Sequence, residues 1–244
     1  MLKNLVKILL FSFLSFQMLN AASVVNDGFE ELKKGNILEA ANIFQNACNE
    51  GASSGCYNLG LLYYKGDKIA KNYSKAFDYF SKACENDHIG ACYNLAYMYQ
   101  NAQGTLLNSL KAIELYDKTC KAGISAGCYN IANMYEVGDG VEKDLFKTVD
   151  YLTQACNMNH SKACYNLAVR FTNEDGVEKN PLRAANLYQK SCDLGYANAC
   201  YNLGVMYFDG EFFTKNNDLA AQLFKKACDM NLDIACEAYS NLKK

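Results

Sequence analysis

This sequence contains no tryptophan, a single proline (Pro181) and two histidines, His88 and His160. Scarce proline leaves long stretches free to be helical, because an interior proline removes a hydrogen bond and breaks a helix. Two isolated histidines exclude a histidine-rich metal centre, which needs several imidazoles converging on one ion. No Cys-x-x-Cys occurs, so the usual dithiol redox motif is missing. Lysine and arginine never gather into a run, and the net charge is −2. Without a basic stripe there is no footprint for a phosphate backbone, and nucleic acid is not an expected partner. What remains is 50% hydrophobic and 20% charged, a globular rather than a disordered composition.

The first 22 residues differ from the rest. Two lysines precede Ile8–Phe16, which is apolar apart from Ser12 and Ser15, and the small residues of "MLNAAS" follow. This layout predicts a signal peptide over residues 1–22, cleaved after Ala21 or Ala22. The apolar run is shorter than the roughly 20 residues a membrane span needs, so no span is expected after cleavage. The mature chain is expected to be secreted or periplasmic.

Twelve cysteines stand at 48, 56, 84, 92, 120, 128, 156, 164, 192, 200, 228 and 236. Members of a pair lie eight positions apart, and each pair recurs after thirty-six. A repeat of this length predicts units that stack on their neighbours. Counting from the second cysteine, offset 3 holds Leu59, Leu95, Ile131, Leu167 and Leu203, and offset 4 holds Gly60, Ala96, Ala132, Ala168 and Gly204. Offset 7 is Tyr63, Tyr99, Tyr135, Phe171 and Tyr207. Offsets 0, 3, 4 and 7 share one face of a helix, here called helix A. Counting back from the first cysteine, the fourth residue is Phe44, Phe80, Tyr116, Leu152, Tyr188 or Phe224, and the eighth is small. That is a second helix, B. The A–B loop carries turn signals such as "GDGVEKD", except in the unit reading "QNAQGTLLNS", whose loop is expected to differ.

The expected organisation is a single all-α domain over 23–244. It comprises an N-terminal capping helix pair at 24–50, five full repeats over about 52–230, and a C-terminal capping helix at about 233–244. The paired cysteines flank the turn from helix B into the next helix A, where Gly51, Asn86, Gly123 and Gly195 suit a tight connection. Local pairing gives Cys48–Cys56, Cys84–Cys92, Cys120–Cys128, Cys156–Cys164, Cys192–Cys200 and Cys228–Cys236. The rival pairing, for example Cys56–Cys84, would strand Cys48 and Cys236, so the local set is favoured. Seven residues between cysteines fit poorly with structural zinc, whose pairs are closer, and no metal or other cofactor is expected.

Helix A of the form "ACYNLGxMYxxG", followed by helix B of the form "KAxxLFKKAC", resembles Sel1-like repeats, relatives of the tetratricopeptide repeat. The regular cysteine pair resembles the Helicobacter cysteine-rich protein family over residues 24–244. The resemblance implies a right-handed α-solenoid with one disulfide per repeat, outside the cytoplasm. It also implies a β-lactamase or penicillin-binding activity, with β-lactams as ligands. The motifs for that chemistry are missing. The one Ser-x-x-Lys, Ser240 to Lys243, falls in the last five residues, and neither Ser-Asp-Asn nor Lys-Thr-Gly accompanies it.

Directly after the second cysteine, "YN" occurs five times, placing Asn58, Asn94, Asn130, Asn166 and Asn202 at equivalent positions. Each Asn lies about 100° around helix A from the packed leucine. In the resembling tetratricopeptide fold, helix A lines the concave surface, so these amides are candidate groove residues. They offer donors and acceptors to an extended peptide, a protein segment or a peptidoglycan-like fragment. The alternative is that they bridge neighbouring repeats or cap local backbone, while the tyrosines pack between repeats.

Overall fold

The computed structural model describes residues 24–243 apart from 67, 68, 211 and 213. The expected signal peptide over 1–22 lies outside the described residues. Every regular element among the described residues is helical. A first pair, α1 (24–34) and α2 (Ile37–Asn49), turns at Gly35. Five A–B pairs follow: α3 (Ser53–Lys65) with α4 (Tyr73–Glu85), α5 (Ile89–Gln100) with α6 (Ser109–Lys121), and α7 (Ser125–Val137) with α8 (Leu145–Asn157). Then come α9 (Ser161–Asn173) with α10 (Pro181–Asp193), α11 (Ala197–Asp209) with α12 (Asn217–Asp229), and finally α13 (Asp233–Leu242). The chain divides into two compact units, one ending at Lys118 and the other beginning at Thr119. In the first, α2 through α5 pack in sequence; in the second, α7 through α13 do the same.

In the five A–B pairs, the start of helix B has a local cause that the periodicity of apolar residues does not reveal. Asn72, Asn108, Asp144, Asn180 and Asn216 are N-caps. Their side-chain oxygens accept the backbone N–H three residues on, at 2.9–3.0 Å. Such a cap contributes about 1 kcal/mol. The same five residues donate their own N–H to the carbonyls of Tyr63, Tyr99, Tyr135, Phe171 and Tyr207, at 2.9–3.0 Å. The offset-7 aromatic therefore anchors the far end of each A–B loop through its backbone. Pro181 occupies the first turn of α10, where its missing N–H would have no intrahelical partner.

The loop after α5 does differ. Helix A ends at left-handed Gly66, Gly138, Glu174 and Gly210 in its counterparts. Here the left-handed residues are Ala102 and Gly104. A Cβ on Gly104 would fall 2.2 Å from the Tyr73 carbonyl oxygen, so the close approach of two backbones requires glycine there. The loop nevertheless rejoins the common pattern at Asn108.

In the turn from helix B to the next helix A, Gly51, Asp87, Gly123, Asn159, Gly195 and Asn231 are left-handed, with φ of 58–90°. Asn86 lies in this turn as the C-cap of α4, and the left-handed position is the next residue, Asp87. Asp and Asn tolerate this conformation better than other side chains, which explains their alternation with glycine. Disulfides cross each turn between the residues of the local pairing, with Cα–Cα distances of 4.5–4.7 Å. No cysteine is free.

Both apolar stripes are interior. Phe44, Phe80, Tyr116, Leu152, Tyr188 and Phe224 are all buried, as are the five helix-A leucine or isoleucine positions. Each such side chain contributes roughly 1.5–3 kcal/mol on burial. The small positions are matched to them. A Cβ on Gly60 or Gly204 would fall 2.7–2.8 Å from the ring of Phe80 or Phe224. Glycine at offset 4 thus coincides with phenylalanine on the following helix B.

Candidate functional site

The five "YN" tyrosines pack between helices. Tyr57, Tyr93, Tyr165 and Tyr201 lie 5.4–5.9 Å, centroid to centroid, from the helix-B rings Phe80, Tyr116, Tyr188 and Phe224. Tyr57 and Tyr129 also stack on His88 and His160, at 4.2 and 4.5 Å. Each imidazole is the N-cap of a helix A, and its Nδ1 accepts the N–H of Ala91 or Ala163 at 3.1–3.2 Å. An acceptor nitrogen must be unprotonated, so both rings are held neutral. Burial lowers both pKa values below the ordinary 6.5; in His160, Lys162 adds to the effect. Neutral imidazole therefore favours folding, and this stability is complete above pH 6.5 and is lost as pH falls through the lowered folded-state pKa. Thermal unfolding followed between pH 7.5 and 5.5 is expected to show a falling midpoint. The slope should flatten in His88→Asn/His160→Asn, since Asn caps without titrating; an unchanged slope would refute the assignment.

The five candidate groove asparagines all occupy the sixth position of a helix A and are all half-buried. Asn58 Nδ2 donates to the Ser54 carbonyl one turn back, at 2.8 Å. Asn202 Nδ2 instead reaches across to Tyr165 Oη, 3.4 Å away on the preceding helix A. Asn94, Asn130 and Asn166 keep the equivalent places on α5, α7 and α9.

Asn202 lines a cleft of about 350 Å³ in the second unit, bounded by α9 and α11 with α10 behind. Tyr165 and Tyr188 form its polar back wall, and Val169, Val205 and Met206 its apolar floor. Burial raises the pKa of the Tyr188 phenol, and hydrogen bonds with Thr172 and Asn202 pull the other way. The network holds the Asn202 amide beside two aromatic rings. This pocket is within the range that accepts a side chain or small ligand.

One charge is buried near this region. Arg170 is 4% exposed, and its Nη2 and Nη1 pair with Glu136 at 2.7 Å and Asp175 at 2.5 Å. Its Nε has no partner. Met98, Met134 and Met206 occupy the equivalent position in other repeats. Sequence periodicity alone flags Arg170 as a departure, though not its partners.

The Ser-x-x-Lys element shows no convergence. Ser240 Oγ donates to the Cys236 carbonyl at 2.9 Å, and Lys243 Nζ lies 5.9 Å from the Tyr239 ring. Among the described residues there is no cluster of His, Cys, Asp or Glu able to hold a metal, and no helix long and apolar enough to cross a membrane.

A 52-residue stretch, 21% of this chain, is 38% identical to HcpC of Helicobacter pylori strain J99, a protein named as a candidate β-lactamase. The chain spans 18% of that relative's length. Two solved structures share the fold. The protective antigen c5321 of uropathogenic Escherichia coli, which displays an SLR fold, has TM-score 0.78 and 23% identity, covering 83% of this chain and 43% of that one. A Sel1 repeat protein from Oxalobacter formigenes has TM-score 0.76 and 23% identity, covering 86% of each chain. The Sel1 repeat model matches five consecutive segments, 53–88, 89–124, 125–160, 161–196 and 197–232, each holding one helix A and one helix B. The chain belongs to the Sel1 repeat family.

Proposed function

We propose that this protein is an exported interaction scaffold that holds a segment of another polypeptide against its helix-A face. Sel1 repeat proteins generally bind proteins or peptides, and the cleft between α9 and α11 is the observation that supports the role here. Its Asn202 amide offers both donor and acceptor to a peptide backbone, and its apolar floor receives a side chain. Six disulfides favour an oxidising compartment, the periplasm or the extracellular space, because cytosolic thiols are kept reduced. Hydrolysis of β-lactams rests on the name of a relative matched over 52 residues.

The test is selection of a random peptide library on the oxidised protein. Enriched peptides are expected to bind Val205→Phe, which fills the cleft, at least tenfold more weakly, with the thermal midpoint unchanged. Equal binding would remove the cleft from the interaction. Nitrocefin turnover proportional to protein concentration and lost in Asn202→Ala would replace the scaffold reading with an enzymatic one.

A further inference from the structure

The cleft has an asymmetric charge pattern. Asp209, exposed in the last turn of α11, lines it, whereas no lysine, arginine or histidine does. Asn173, the last residue of α9, lines it too. Two helix C-termini therefore meet at the cleft, each carrying the partial negative charge of its last carbonyls. The remaining element is Phe212, and Lys179 Nζ lies 4.9 Å from its ring centroid. This ring face already takes an ammonium group from the protein's own chain.

An anionic occupant, such as a peptide's terminal carboxylate, would sit beside Asp209 with no cation in the lining to offset it. A purely apolar occupant would fill the floor and leave the negative end unused. A cation on a methylene stem satisfies both parts. Its methylenes lie over Val205 and Met206, and its charge rests between the Asp209 carboxylate and the Phe212 face. We infer that the cleft receives a lysine or arginine side chain of the bound polypeptide. This rests on the scaffold reading and specifies its ligand. Lys179 is then an internal competitor for the same ring.

The probes are two capped pentapeptides, one with a central lysine and one with norleucine, which keeps the stem without the charge. Binding to the oxidised protein is read from NMR shifts of the Val205 and Met206 methyls. The lysine peptide is expected to saturate at about tenfold lower concentration, a difference of about 1.4 kcal/mol. Asp209→Asn should close the gap to within about twofold, and Lys179→Ala should widen it. A gap that both variants leave unchanged overturns the inference, as does equal binding of the two peptides. If neither peptide moves the methyls up to about 10 mM, the inference falls too. The library peptides then decide the scaffold reading separately, through their response to Val205→Phe.

Discussion

Reduction of all six disulfides is expected to abolish the cooperative unfolding transition and most of the helical signal at 37 °C. Each bond closes a ring between residues eight apart, and by the chain-entropy model such a ring is worth about 2.5 kcal/mol. Six of them are together comparable to the whole stability of an ordinary domain, about 5–15 kcal/mol. Helix pairs contacting only their sequence neighbours have few other sources of long-range cohesion. The measurement is a far-UV circular dichroism melt before and after reduction and alkylation of all twelve thiols. An unchanged melt would show that packing alone suffices. Cys120→Ala/Cys128→Ala isolates one ring and should lower the midpoint by roughly 5–10 °C, the shift that about 2.5 kcal/mol produces in a chain of this size.

The second large effect lies at Arg170. Glu136→Gln/Asp175→Asn keeps the shapes and removes both counter-charges, stranding a guanidinium that is 4% exposed and already lacks a partner at Nε. The expected loss is about 3 kcal/mol, the low end for an uncompensated buried charge, because the two carboxylates themselves are half exposed. Arg170→Met should go the other way, neutral or stabilising by about 1–4 kcal/mol, as it restores the side chain buried at this place in other repeats. Adding Arg170→Met to the double variant should recover most of the loss. Urea unfolding midpoints check all three. A double variant as stable as the parent would mean that water reaches Arg170.

The sequence revealed what repeats at fixed spacing. The cysteine pairs, the leucine and aromatic stripes and the exceptional loop at 101–108 each announce themselves by recurring, or by failing to. Less legible were features that depend on contacts between elements. The caps Asn72 to Asn216 recur with the same period, yet sit among loop residues where no apolar pattern marks them. The capping role of His88 and His160 was equally hidden, because it depends on Nδ1 meeting one N–H. Asn86 lies in its turn as expected, but only backbone conformation shows that its neighbour Asp87 takes the left-handed position. Whether each "YN" asparagine faces a ligand or its own chain is set by the neighbouring helix. Asn58 turns to Ser54 and Asn202 to Tyr165 although their local sequences match.

The disulfides also decide where the chain can be severed. Every bond closes around a turn from helix B into the next helix A, and no bond encloses an A–B loop. A protease cutting within 86–90 would leave both fragments covalently joined, whereas one cut within 101–108 would release two separate chains. Against a protease acting on the folded protein, half of the connections are thus insured against scission and half are not. The helix A–helix B loops are the points at which this protein comes apart.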